Sequence, residues 1–85
     1  MSLAADVTVL GGLTLHAEVY AEDDYDGFRG YVVDALYWPP KGRKGKYRAI
    51  SQAMYDRVLA YDEQVPQHHS IVHQVLDARH DGNFR

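Results

Sequence analysis

The chain has 85 residues, 46% hydrophobic and 25% charged, with nine Lys and Arg against twelve Asp and Glu for a formal net charge of −3. This length suits one domain, residues 1–85, with a modest core, and the composition lies far from the polar, highly charged regime of chains that stay disordered. Zero cysteines exclude disulfides, thiolate nucleophiles and thiolate zinc sites, and the lack of an apolar run near ~20 residues or of a secretory leader pattern leads us to expect a cytoplasmic protein with no membrane partner.

Met1, Ser2 and Leu3 are residues that a cloning vector can supply and are set aside in this reading. Val7 to Leu10 is β-prone, and Gly11-Gly12 offers the positive φ angles of a tight hairpin turn, so a short first strand is expected. Leu13 to Tyr20 alternates strictly, with Leu13, Leu15, Ala17 and Val19 on one side and Thr14, His16, Glu18 and Tyr20 on the other, as a half-buried strand requires. Glu22, Asp23, Asp24 and Asp26 then form an acidic stretch ending in the turn signal Asp26-Gly27. Phe28 to Trp38 is aromatic and β-branched and predicts an antiparallel strand. Pro39 and Pro40 end it, because proline has no amide to give a ladder. Residues 41–45 read as an exposed loop, and Lys46 to Ile50 as a short returning strand.

Ser51 has the position of a helix N-cap, and Ile50 and Tyr55 have the spacing of a hydrophobic staple. Met54, Tyr55, Val58, Leu59 and Tyr61 then make the apolar stripe of a helix from Gln52 to about Asp62. Pro66 suits the first turn of a second helix, running through Ile71, Val72, Val75 and Leu76 to about His80, with Gly82 to stop it. The expected fold class is therefore α+β: a small antiparallel sheet of three to four strands followed by two C-terminal helices packed on one face.

The 28–38 strand complicates that picture. Strict alternation puts Tyr31, Val33, Ala35 and Tyr37 on one side and Val32, Leu36 and Trp38, interrupted by Asp34, on the other. Both sides then want burial, so the second must be closed by residues 1–10 or by another subunit. Val32, Leu36 and Trp38 are accordingly expected to bind a partner, together with the basic residues Lys41, Arg43, Lys44, Lys46 and Arg48.

Those five cations, five of the nine in the chain, fall within eight residues. With two glycines and the flanking aromatics Trp38 and Tyr47 they have the ingredients of a nucleic-acid contact, although the spacing of Gly42 and Gly45 is not that of a P-loop. The competing reading is a solvated tip that keeps a sheet edge soluble. Glu22, Asp24, Asp26 and Gly27 fall on the first, third, fifth and sixth positions of a calcium loop, but Val33 stands where the bidentate Glu belongs, so a solvated turn is expected. His69 and His73, four residues apart, could clasp a metal ion on a helix beside His80. No Glu follows His69 and no further ligand is evident, so a half-exposed histidine ridge is favoured over a metal site. Asp34 is the one carboxylate at an unexpected address, and burial there would require a hydrogen-bond or cationic partner. No catalytic residues and no cofactor are expected.

From Leu13 to Asp62 the segments LTLHAEVY, YVVDALYW and AISQAMYDRVLAYDE resemble small phage and prophage proteins of unknown function. The resemblance lies in element order and brings no catalytic residues, and the histidine-rich second helix departs from it. It implies an accessory binding protein. The functional expectation is a non-enzymatic interaction protein that binds a protein partner or itself. The alternatives are a nucleic-acid-binding accessory protein using residues 41–48, and a small metal-dependent hydrolase built on His69 and His73.

Overall fold

The computed structural model describes residues 2–24, 27–42 and 45–83. Four strands, β1 (Ser2–Val9), β2 (Leu13–Asp24), β3 (Gly27–Trp38) and β4 (Arg48–Ala49), form an antiparallel sheet in the order β1-β2-β3-β4. Helices α1 (Gln52–Asp62) and α2 (Ile71–Asn83) follow, joined through a single 3₁₀ turn at Gln67–His69. This is the expected α+β arrangement, with the helices on one face of the sheet.

The β1–β2 hairpin closes through a three-residue turn in which the Gly12 amide donates to the Val9 carbonyl at 3.1 Å. That closure pairs Val9 with Leu13 and carries the register back to Ser2 opposite Tyr20. The strand begins five residues before the expected Val7, and Leu3 and Ala5 pack against the core, so residues 2–9 form an edge strand rather than a cover. Glu22 to Asp24, read as a loop, extend β2.

The main correction concerns β3. Glu18 pairs with Ala35 and Val19 with Val33, so Asp34 is an extra residue, a β-bulge at which the count of sides slips by one. Leu36, opposite the fully buried Ala17, and Val33, opposite the fully buried Val19, both point toward the helices. Tyr31 and Trp38 pack against the same core. With Asp34 left out of the count the strand alternates: Tyr31, Val33, Leu36 and Trp38 inward, Val32, Ala35 and Tyr37 outward. The second greasy face therefore does not exist. Leu36 is 2% exposed and Trp38 lies against the core, so neither shares a partner-binding surface with Val32, which pairs with Tyr20 on the opposite side. Asp34 itself is exposed, with no need of a buried partner.

The core forms where Val7, Val9, Leu15 and Val19 meet Val58, Ile71 and Val75, all at most 2% exposed. Ser51 caps α1 by accepting from the Met54 amide at 3.1 Å, and Ile50 is buried beside it. The second helix departs from expectation at both ends. Pro66 opens the 3₁₀ turn, and α2 starts at Ile71, where the Ser70 hydroxyl accepts from the His73 amide at 3.2 Å and an Asp62 carboxylate oxygen from the Ile71 amide at 2.8 Å. Gly82 does not stop α2, which runs to Asn83. Of the predicted third strand only Arg48 and Ala49 pair, with Trp38 and Tyr37.

Deleting Asp34 leaves every inward residue of β3 inward, so the variant should keep a cooperative unfolding transition and lose only about 1 kcal/mol, the size of an ordinary point change. Deleting Glu18 from β2 should instead turn neighbouring core residues outward at roughly 1.5–3 kcal/mol for each large side chain and abolish the transition. Thermal denaturation followed by circular dichroism compares the two, and equal losses would refute the assignment of the bulge.

Candidate binding surface on the open sheet face

Both helices lie on one side of the sheet, so the other side is bounded by the outward residues of its strands. Cross-strand pairing orders them in rows: Asp6, His16, Tyr37 and Ala49, then Ala4, Glu18 and Ala35, then Ser2, Tyr20 and Val32. In the first row His16 Nδ1 donates to Asp6 Oδ1 at 3.1 Å. Tyr47, just ahead of β4, covers the His16 ring at a centroid distance of 4.3 Å and meets Tyr37 edge-on at 6.3 Å. The His16 side chain is 17% exposed, whereas Tyr47 is 51% exposed, the most exposed of the large hydrophobics among the described residues. The cluster thus offers solvent a ring that is already held in place from beneath.

Just ahead of that ring, Gly45 lies tightly against Pro40 and Lys41. A Cβ on Gly45 would stand 2.8 Å from the Lys41 amide nitrogen and 2.8 Å from the Pro40 side chain, closer than real Cβ atoms come, so this approach needs glycine. Lys41, Lys46 and Arg48 with Pro39, Gly45 and Tyr47 line an open cleft of about 510 Å³, and no acid among the described residues lines it. Arg43 and Lys44 belong to the same basic run but fall outside the described residues.

The face grades from this basic corner toward acid. Glu18 and Glu22 continue along β2, and Asp26, the last acid of the expected solvated turn, lies outside the described residues. In the middle, the Tyr37 hydroxyl donates to the Glu18 carboxylate. The Glu18 charge, then burial, then that hydrogen bond, and last the Asp34 charge hold the phenol above its ordinary value of 10.0.

His69 and His73, weighed as a metal pair and as a ridge on one helix, do not share a helix. His69 ends the 3₁₀ turn, with its ring 4.1 Å from that of His68, while His73 lies in α2, 3.5 Å from Asp77. Among the described residues no three His, Cys, Asp or Glu side chains gather as a metal would need. The Asp6–His16 pair has the form of two-thirds of a hydrolytic triad, but among the described residues no hydroxyl is hydrogen-bonded to the second His16 nitrogen. No described helix is long and apolar enough to cross a membrane.

Compared with family models, curated proteins and solved structures, the chain matches none of them. The phage-protein likeness of Leu13–Asp62 therefore remains one of element order.

The Asp6–His16–Tyr47 contact was missed in the sequence although part of its signal was present. A three-residue turn after Val9 pairs Asp6 with His16, but nothing local says that Tyr47 returns over that pair.

The Tyr37 phenol should titrate above the ordinary tyrosine range in an ultraviolet phenolate titration, assigned with Tyr37→Phe, and Glu18→Gln should lower it. Because the folded value is raised, this contribution to stability is complete below pH ~10 and fades as pH rises through the folded value. An unchanged Tyr37 titration in Glu18→Gln would contradict the assigned cause.

Proposed function

We propose that this chain is a non-enzymatic binding module whose ligand is single-stranded nucleic acid, held at the Tyr47 corner of the open sheet face. The observation that carries this reading is a half-exposed tyrosine, braced by His16 and Tyr37, beside Lys41, Lys46 and Arg48. Single-strand binders combine a base-stacking ring with a cationic track for the backbone, and stacking is worth about 1–3 kcal/mol per base. The overall charge of −3 opposes a polyanion, but residues 39–49 contain no acid, and local fields govern contact within a Debye length of ~8 Å at physiological salt. The acids toward the other end of the face confine the contact to a few nucleotides. A protein partner docking on Leu36 and Trp38 is disfavoured because both side chains are engaged with the core.

Fluorescence anisotropy with a labelled single-stranded oligonucleotide tests the proposal. With three to five phosphates neutralised, log affinity should fall against log salt with a slope of about −2 to −3.5. Tyr47→Ala should weaken binding about 5- to 150-fold, the equivalent of 1–3 kcal/mol, and Lys41→Glu with Lys46→Glu should flatten the slope by about 1.4. Affinity that is unchanged in both variants, or no binding at low salt, would reject the proposal.

A further inference from the structure

The two edges of the sheet are built in opposite ways. The β4 edge carries every device that discourages strand addition: only two paired residues, Pro39 and Pro40 at the end of β3, and the cations Lys46 and Arg48. The β1 edge carries almost none. It has eight residues, no proline, no cation and no bulge, and Asp6 is its one charge.

Thr8 shows which way the backbone of β1 faces. Its amide donates to Gln74 Oε1 at 2.8 Å and its carbonyl accepts from Gln74 Nε2 at 2.9 Å, so the peptide groups of Thr8 point away from β2. By the two-residue period of a strand, those of Ser2, Ala4 and Asp6 point the same way. No hydrogen bond from another described residue meets the outward groups of Ala4 or Asp6. Gln74 thus occupies one end of the edge, and among the described residues the outward peptide groups of Ala4 and Asp6 are left for another strand.

We infer that this open segment of β1 pairs antiparallel with β1 of a second copy about a two-fold axis through Ala4. Three features of the sequence select that register. The smallest side chain of the open face meets itself at the axis, so the one pair that symmetry forces to be identical brings no bulk or like charge together. Ser2 stands opposite Asp6 of the second copy, so each carboxylate faces a hydroxyl, and the two Asp6 carboxylates lie about 14 Å apart along the strands, beyond a Debye length. On the inner face the partly exposed Leu3 stands opposite Ala5 of the second copy, a large residue against a small one, and the symmetry repeats the pair. Six backbone hydrogen bonds result, two for each pair of outward residues. The ladder ends before Thr8, where Gln74 already holds the edge.

The product is a continuous eight-stranded sheet with the helices of both copies on one side and both open faces on the other. Seven strand spacings of ~4.8 Å put the two β4 edges about 34 Å apart, with both Tyr47 rings on the same surface between them. The pairing does not depend on the ligand proposed for the Tyr47 corners.

Sedimentation equilibrium of the full chain without nucleic acid, from about 10 μM to about 1 mM, reads the association in the range expected of a small interface. The mass should rise toward twice that of the monomer, and the Ala4 and Asp6 amides should exchange more slowly with deuterium as concentration increases. Ala4→Pro removes the axial donor at an outward edge position, where proline is tolerated, and Ala4→Lys places like charges at the axis on the solvent side. Both should stay monomeric while retaining the circular dichroism of the parent. If Ala4→Pro fails to fold, Ala4→Lys and the exchange rates still decide. A parent that stays monomeric near 1 mM, a dimer that persists in Ala4→Lys, or Ala4 and Asp6 exchange rates that ignore concentration would each overturn the inference.

Discussion

One extra residue in the middle of β3 governs how the domain is divided between core and surface. Asp34 is passed over in the pairing of Glu18 with Ala35 and Val19 with Val33, and the slip gathers the large apolar side chains from both halves of the strand onto the helix side. Without it, either Tyr31 and Val33 or Leu36 and Trp38 would face water, and two short helices could not cover what remained. A charged, exposed residue suits the position because a bulge residue has no cross-strand neighbour to pack against. The same slip leaves the opposite face to Tyr37, Ala35 and Val32 among polar neighbours, a surface that can stay wet.

The helices are fixed by polar contacts at their ends as well as by burial. Asp62 at the end of α1 accepts from the first amide of α2, joining the helices across the connector. Gln74 answers both peptide groups of Thr8 and also donates to the His69 carbonyl at 2.9 Å, so one side chain ties α2, the 3₁₀ turn and β1 together. Such contacts satisfy backbone groups that neither a helix end nor a strand edge can satisfy internally. They also explain why α2 begins at Ile71, five residues after Pro66: the chain first turns back so that Ile71 can enter the core.

Charge is segregated along the sheet rather than balanced within it. The basic return after Pro39 and the acids along β2 lie toward opposite ends of the β2–β3 hairpin, and the Asp6–His16 and Tyr37–Glu18 contacts lie between them. A charged group attracted to one end is repelled from the other, so net charge is a poor guide to the local field. The chemistry available there is stacking, hydrogen bonding and ion pairing.

Local pattern alone determined much of this architecture. The alternation from Leu13 to Tyr20, the Gly11-Gly12 turn, the Ser51 cap and the apolar stripe of α1 each involve residues within a few positions of one another, where backbone preference and side-chain period suffice. The α+β class followed from their order. Tertiary structure alone decided which side of β3 faces the core, because a bulge is created by the partner strand's register and leaves strict alternation within one strand misleading. It also decided that His69 and His73 part at a helix boundary, that Tyr47 lies over His16, and that Gln74 holds one end of the β1 edge. Each of these joins residues distant in sequence, or depends on where a neighbouring element ends, and no local periodicity encodes such a meeting.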